Sequence, residues 1–128
     1  MVFLWTAVSG WAAALLLTCG ISVPYVARSA SLSTTSHLKA HYYLGFLILA
    51  AALLHASIPM SAGRVRAYDS NGLLIATVAL CVMVWQVTQG AALRYARGVT
   101  RQAARRAHFW TMVAIVGLVS GHIILSRA

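Results

Sequence analysis

Acidic residues are almost missing from this chain. Its 128 residues contain one, Asp69, against ten Lys and Arg, and the net charge is +9. Chemistry that works through paired carboxylates therefore lacks its parts. That covers glycoside hydrolysis, carboxylate-bridged metal ions and carboxylate proton relays. Charged residues of both signs make up only 9% of the chain, where a soluble domain carries about 25%. With 61% hydrophobic residues and a mean hydropathy of +0.81, a soluble fold of this size would have no polar surface to present. The composition specifies an integral membrane protein and excludes disorder, a disulfide-framed secreted module and a nucleic-acid binder. Only two cysteines occur, Cys19 and Cys81, each inside an apolar run, and both read as small buried side chains.

Four apolar runs of about the 20 residues needed to cross a bilayer can be delimited, at 2–26, 37–60, 72–93 and 107–126. A Ser/Thr-rich stretch, Arg28 to Ser36, separates the first two and offers N-cap residues to the second. Pro59 is expected to close the second run, and a turn through Gly63, Arg64, Arg66 and Asp69 leads to the third. A basic stretch from Arg94 to Arg106 precedes the fourth. No Lys or Arg precedes the first run, and it exceeds a signal-peptide core, so it reads as a membrane helix. Backbone polar groups in hydrocarbon must bond internally, which leaves helices, and short connections imply an all-α, up-down-up-down four-helix bundle forming a single domain.

Seven basic residues, Arg28, Lys39, Arg94, Arg97, Arg101, Arg105 and Arg106, flank the first and third connections, against Arg64, Arg66 and Arg127 on the other side. The positive-inside rule places the first and third connections in the cytoplasm of a bacterial cell, in its cytoplasmic membrane, with both termini outside.

Histidine carries the chemical signal. His41 and His55 are 14 residues apart on the second run, and His108 and His122 are 14 apart on the fourth. Fourteen steps of about 100° fall roughly 40° short of four turns, so each pair shares a helix face and spans about 21 Å of depth. The second and fourth helices of such a bundle run in the same direction. His41 then lies level with His108, and His55 with His122. Two facing imidazoles supply the trans axial ligands of a haem iron, so two stacked b-type haems are expected. Attachment is non-covalent, as no C-x-x-C-H motif occurs. Ile48 and Ile115 lie midway between the ligands of their helices, and Gly45, Ala51, Ala52 and Gly121 are small neighbours that leave room for a macrocycle. Lys39, Arg105 and Arg106 near one level, and Arg64, Arg66 and Arg127 beyond the other, can neutralise haem propionates, although contact with lipid phosphates explains any one of them equally well. The competing reading makes the histidines interhelical hydrogen-bonding groups of a structural or assembly subunit, with no haem at all. His37 has no counterpart on the fourth run and reads as an exposed interfacial residue, although it shares a face with His55. Tyr and Trp near the run ends, including Tyr42 and Trp110, fit interfacial belts.

The two H-x13-H segments, HYYLGFLILAAALLH and HFWTMVAIVGLVSGH, resemble the haem-binding four-helix bundle of the cytochrome b of quinol–cytochrome c reductases. The paired-histidine idea is also similar to the ferric reductase and NADPH oxidase transmembrane domains. The resemblance implies His41 and His108 on one haem and His55 and His122 on the other. It implies electron transfer across the membrane as a subunit of a larger redox complex, with a membrane quinone as an exchange partner. No G-x-G-x-x-G fingerprint occurs, so a nicotinamide or flavin donor would sit on another chain.

Overall fold

The computed structural model describes residues 2–29, 34–61 and 70–126, with side chains over 3–26, 29, 39–61 and 71–126. It contains four helices: α1 (Val2–Ser29), α2 (Thr34–Ser61), α3 (Ser70–Ala92) and α4 (Gly98–Leu125). Each is long and apolar enough to cross a membrane, and no strand occurs among the described residues. The expected all-α, four-helix transmembrane class is what the chain adopts. At 1.5 Å per residue the 28-residue helices α1, α2 and α4 run about 42 Å and the 23-residue α3 about 35 Å, all longer than a roughly 30 Å hydrocarbon core.

Two boundaries differ from expectation. Pro59 lies inside α2, which continues to Ser61, and Pro24 is likewise accommodated near the end of α1. More consequentially, most of the basic stretch before the fourth apolar run is helical. Tyr95 and Ala96 N–H groups bond back to Ala92 O to end the turn after α3, Arg97 is extended as N-cap, and α4 starts at Gly98. Gly98 has φ +56°, a left-handed conformation that favours glycine and lets the chain enter α4 abruptly. From there Ala, Arg and Gln, all strong helix formers, extend the helix outward beyond its apolar part.

The chain divides into two compact units, Met1–Arg64 and Val65–Ala128. Each is an antiparallel helical hairpin, α1 with α2 and α3 with α4. Within the first, Ser9 meets His55 and Gly20 meets His41; within the second, Gly72 meets His122 and Gln86 meets His108. Large apolar side chains such as Trp5, Leu15, Leu54, Leu74 and Trp110 are exposed around both hairpins, as lipid-facing surfaces require. Hydroxyls in the spans bond to carbonyls one turn back, for example Thr18 to Ala14 O and Thr77 to Leu73 O, which satisfies them without water.

Lipid is as apolar as leucine, so hairpin packing depends on close approach and polar contacts more than on apolar burial. The buried apolar side chains among the described residues are Ile48, Ala79 and Ile115. Gly20 is buried opposite Ile48, where an added Cβ would fall 2.7 Å from Ile48 Cδ1. Both cysteines are free and exposed, contrary to expectation. An apolar membrane helix is apolar around its whole perimeter, so apolar neighbours in sequence carry no information about burial.

Candidate functional site

The repeat H-x6-I-x6-H occurs twice, at His41, Ile48, His55 on α2 and at His108, Ile115, His122 on α4. In both cases the central isoleucine is buried and both histidines turn toward the first helix of their own hairpin, as Ile48 does toward Gly20. The shared face expected from spacing is therefore present on each helix. Its counterpart, which spacing did not disclose, lies on α1 and α3.

Proton accounting defines the state of each imidazole. A carbonyl only accepts, so His41 Nδ1–H donates to Gly20 O at 3.2 Å and His122 Nδ1–H donates to Gly72 O at 3.2 Å. Ser126 Oγ lies 3.4 Å from the same His122 nitrogen. Ser9 spends its hydroxyl proton on Thr6 O at 3.0 Å, so its oxygen accepts from His55 Nδ1–H at 3.1 Å. His108 is held differently. Gln86 Nε2 donates one hydrogen to His108 O at 3.0 Å and the other to His108 Nε2 at 3.3 Å. As neutral rings, all four histidines are thus Nδ1–H tautomers whose Nε2 bears the lone pair.

Glycine makes this packing fit. At Gly10 a Cβ would lie 2.9 Å from His55 Cε1, so the ring occupies space that any side chain would take. At Gly90 the corresponding distance to His108 Cε1 is 3.5 Å, an ordinary contact. Around Gly45, Gly117 and Gly121 a Cβ would meet nothing within 4 Å, so Gly45 and Gly121 do not line the packed faces. Sequence reasoning missed Ser9, Gly10, Gly20, Gly72 and Gln86. The one available signal was Gln86, an amide inside an apolar run, where polar groups are expensive and need a reason.

The donor set fits a haem. Iron takes an imidazole through one nitrogen while the other donates to a carbonyl or hydroxyl that fixes tautomer and orientation. His41, His55 and His122 already have that second bond. His108 has the right tautomer, but its Nε2 lone pair accepts from Gln86. Among the described residues no three His, Cys, Asp or Glu side chains gather as a metal-ion site.

Lys39 is exposed two residues before His41, and Arg105 and Arg106 are exposed three and two residues before His108. Arg64, Arg66 and Arg127 lie outside the described residues, as does the side chain of His37. Tyr42 packs edge-on against Phe46 at 5.0 Å and Tyr43 at 5.8 Å, and Trp110 is exposed beside Phe109, consistent with interfacial anchoring. Comparison with protein-family models, curated proteins and solved structures finds no match for this chain.

Proposed function

We propose that the chain is a di-haem b-type cytochrome that carries electrons across a membrane as one subunit of a larger redox complex. In this reading His41 and His108 would hold one haem, and His55 and His122 the other. The observation that carries this reading is the placement of four histidines in two equal 14-residue steps, each ring held by the first helix of its own hairpin. An iron ligand is oriented by a hydrogen bond at its second nitrogen, and His41, His55 and His122 have a carbonyl or hydroxyl oxygen at Nδ1 to supply it. When bound, a haem held by two imidazoles would supply one-electron transfer in preference to oxygen binding.

The protein's own part is to hold the rings and to keep water out. Gly20 O, Ser9 Oγ and Gly72 O orient three imidazoles, and Ile48 and Ile115 are buried apolar side chains between the histidines of their own helices. Lys39, Arg105 and Arg106 provide counter-charge for propionates at one level, and Arg64, Arg66 and Arg127 at the other. Exchange with a membrane quinone is supported by Gln86 Oε1, which is buried without a partner among the described residues and can accept from a quinol hydroxyl. The bias of basic residues toward the first and third connections supports an orientation with both termini outside, in a cytoplasmic membrane that we take to be bacterial. Donor and acceptor reside on neighbouring chains, so the chain is a conduit and not a stand-alone catalyst.

A second reading rests on the same bonds. Each imidazole already bridges its own hairpin, which is what a non-redox structural subunit would use. A reduced-minus-oxidised spectrum of the purified full chain separates the two. Low-spin b-type bands with two haems per chain are expected, falling to one in His55→Ala and in His122→Ala. A colourless protein that takes up no added haemin rejects the cytochrome.

A further inference from the structure

We propose that the N-terminal extension of α4 is a binding site for the phosphodiester of an anionic phospholipid, formed by Arg101, Arg105, Gln102 and Gly98. These four residues line one open recess of about 430 Å³. Arg101 and Arg105 are exposed and one helical turn apart, so both guanidinium groups reach the same recess. Gln102 adds an amide donor, and Gly98 contributes backbone without a side chain to the lining.

Charge accounting requires an anion from outside the chain. Like charges one turn apart on a helix repel, and the whole sequence offers a single carboxylate side chain, Asp69, to ten Lys and Arg. Depth selects the kind of anion. Arg101 precedes His108 by seven residues, about 10 Å along α4, and so projects past the apolar part of the helix that begins near Ala107. The 28 residues of α4 exceed the hydrocarbon thickness by about 12 Å, which puts its first two turns at headgroup level. Guanidinium groups bind phosphate oxygens through paired N–H bonds, and juxtamembrane Arg is attracted to anionic lipid. Lys39 and Arg106 lie outside the recess and remain available to propionates whichever anion Arg105 meets.

Native mass spectrometry of the full chain released from phosphatidylcholine nanodiscs, with and without phosphatidylglycerol, tests this site. Retention of one phosphatidylglycerol in preference to phosphatidylcholine is expected. Arg101→Gln and Arg105→Gln should each weaken retention about 5-fold, corresponding to one basic residue at an anionic surface. Arg101→Lys with Arg105→Lys should keep most of it, which separates loss of charge from loss of fold. Arg106→Gln, one position round the helix, should lose less than either. The proposal is overturned by equal loss in Arg106→Gln, by absence of selectivity for phosphatidylglycerol, or by displacement of the lipid with inorganic phosphate. If Arg101→Gln instead shifts the haem spectrum and leaves lipid retention intact, the recess serves a propionate and the lipid assignment fails.

Discussion

In the first hairpin both imidazoles donate Nδ1–H into acceptors on α1, Gly20 O for His41 and Ser9 Oγ for His55. In the second, His122 donates to Gly72 O in the same way, while His108 is held at the opposite nitrogen by Gln86. The same H-x6-I-x6-H face is therefore held by three different devices: two glycine carbonyls, a serine hydroxyl and a glutamine amide. A backbone carbonyl can act only as an acceptor and enforces one tautomer whatever side chain is nearby. A glutamine amide offers both a donor and an acceptor, so it can occupy the very lone pair an iron would need. Ligation of the proposed kind would find the first hairpin preorganised at both its histidines, and the second at one.

Substitution at Gly10 should disturb this comparison most. Gly10→Leu drives a side chain into the His55 ring, because the Cβ alone falls 2.9 Å from Cε1. Loss of the haem at that level is expected, read as a fall from two haems to one per chain by pyridine haemochrome assay. Gly90→Ala in the second hairpin, where the Cβ would sit 3.5 Å from the His108 ring, should retain both. Equal losses from the two would mean that the hairpins do not differ in tightness.

Gln86→Leu should act in the opposite direction. Removing the amide relieves His108 Nε2 of a hydrogen bond, and haemin titration of a His55→Ala background should show about 2- to 10-fold tighter binding at the remaining level. In a His41→Ala background the same substitution should change nothing. In haem-free protein, the ¹⁵N resonance of His108 Nε2 should move in Gln86→Leu, a check that needs no cofactor.

A smaller effect is expected from Ser9→Ala, which takes away the acceptor for His55 Nδ1–H. The ring then donates less electron density to ferric iron, and the midpoint potential of that haem should rise by about 20–60 mV. Potentiometric titration monitored by absorbance reads this directly. Ser126→Ala should be close to silent, since His122 Nδ1 keeps its 3.2 Å bond to Gly72 O. A shift as large as that from Ser9→Ala would show that the serine, not the carbonyl, holds the ring.

Much of this was legible along one strand of residues. The four spans follow from run lengths, and the shared face of His41, Ile48 and His55, or of His108, Ile115 and His122, follows from helical period. Both central isoleucines are in fact buried. The glycines of interest were not legible. Gly45 and Gly121 were singled out as leaving room beside the histidines, and a Cβ at either would meet nothing within 4 Å, whereas the glycines that touch imidazoles from another helix are Gly10 and Gly90. Cys19 and Cys81 failed for a related reason, because hydropathy in a membrane span reports the solvent and not the packing partner. The helical run of Arg101, Arg105 and Arg106 was hidden because a basic segment beside an apolar one reads as a connection, although its residues favour helix.

By itself the amino-acid order determined that this protein lives in a bilayer, crosses it with helices and aligns its histidines, because composition and a 3.6-residue period are properties of a single chain segment. Only the tertiary structure decided which partner meets each ring and which glycines make room for them. Those depend on the register between antiparallel neighbours, set by the close approach of two surfaces, and no property of either helix taken alone contains it.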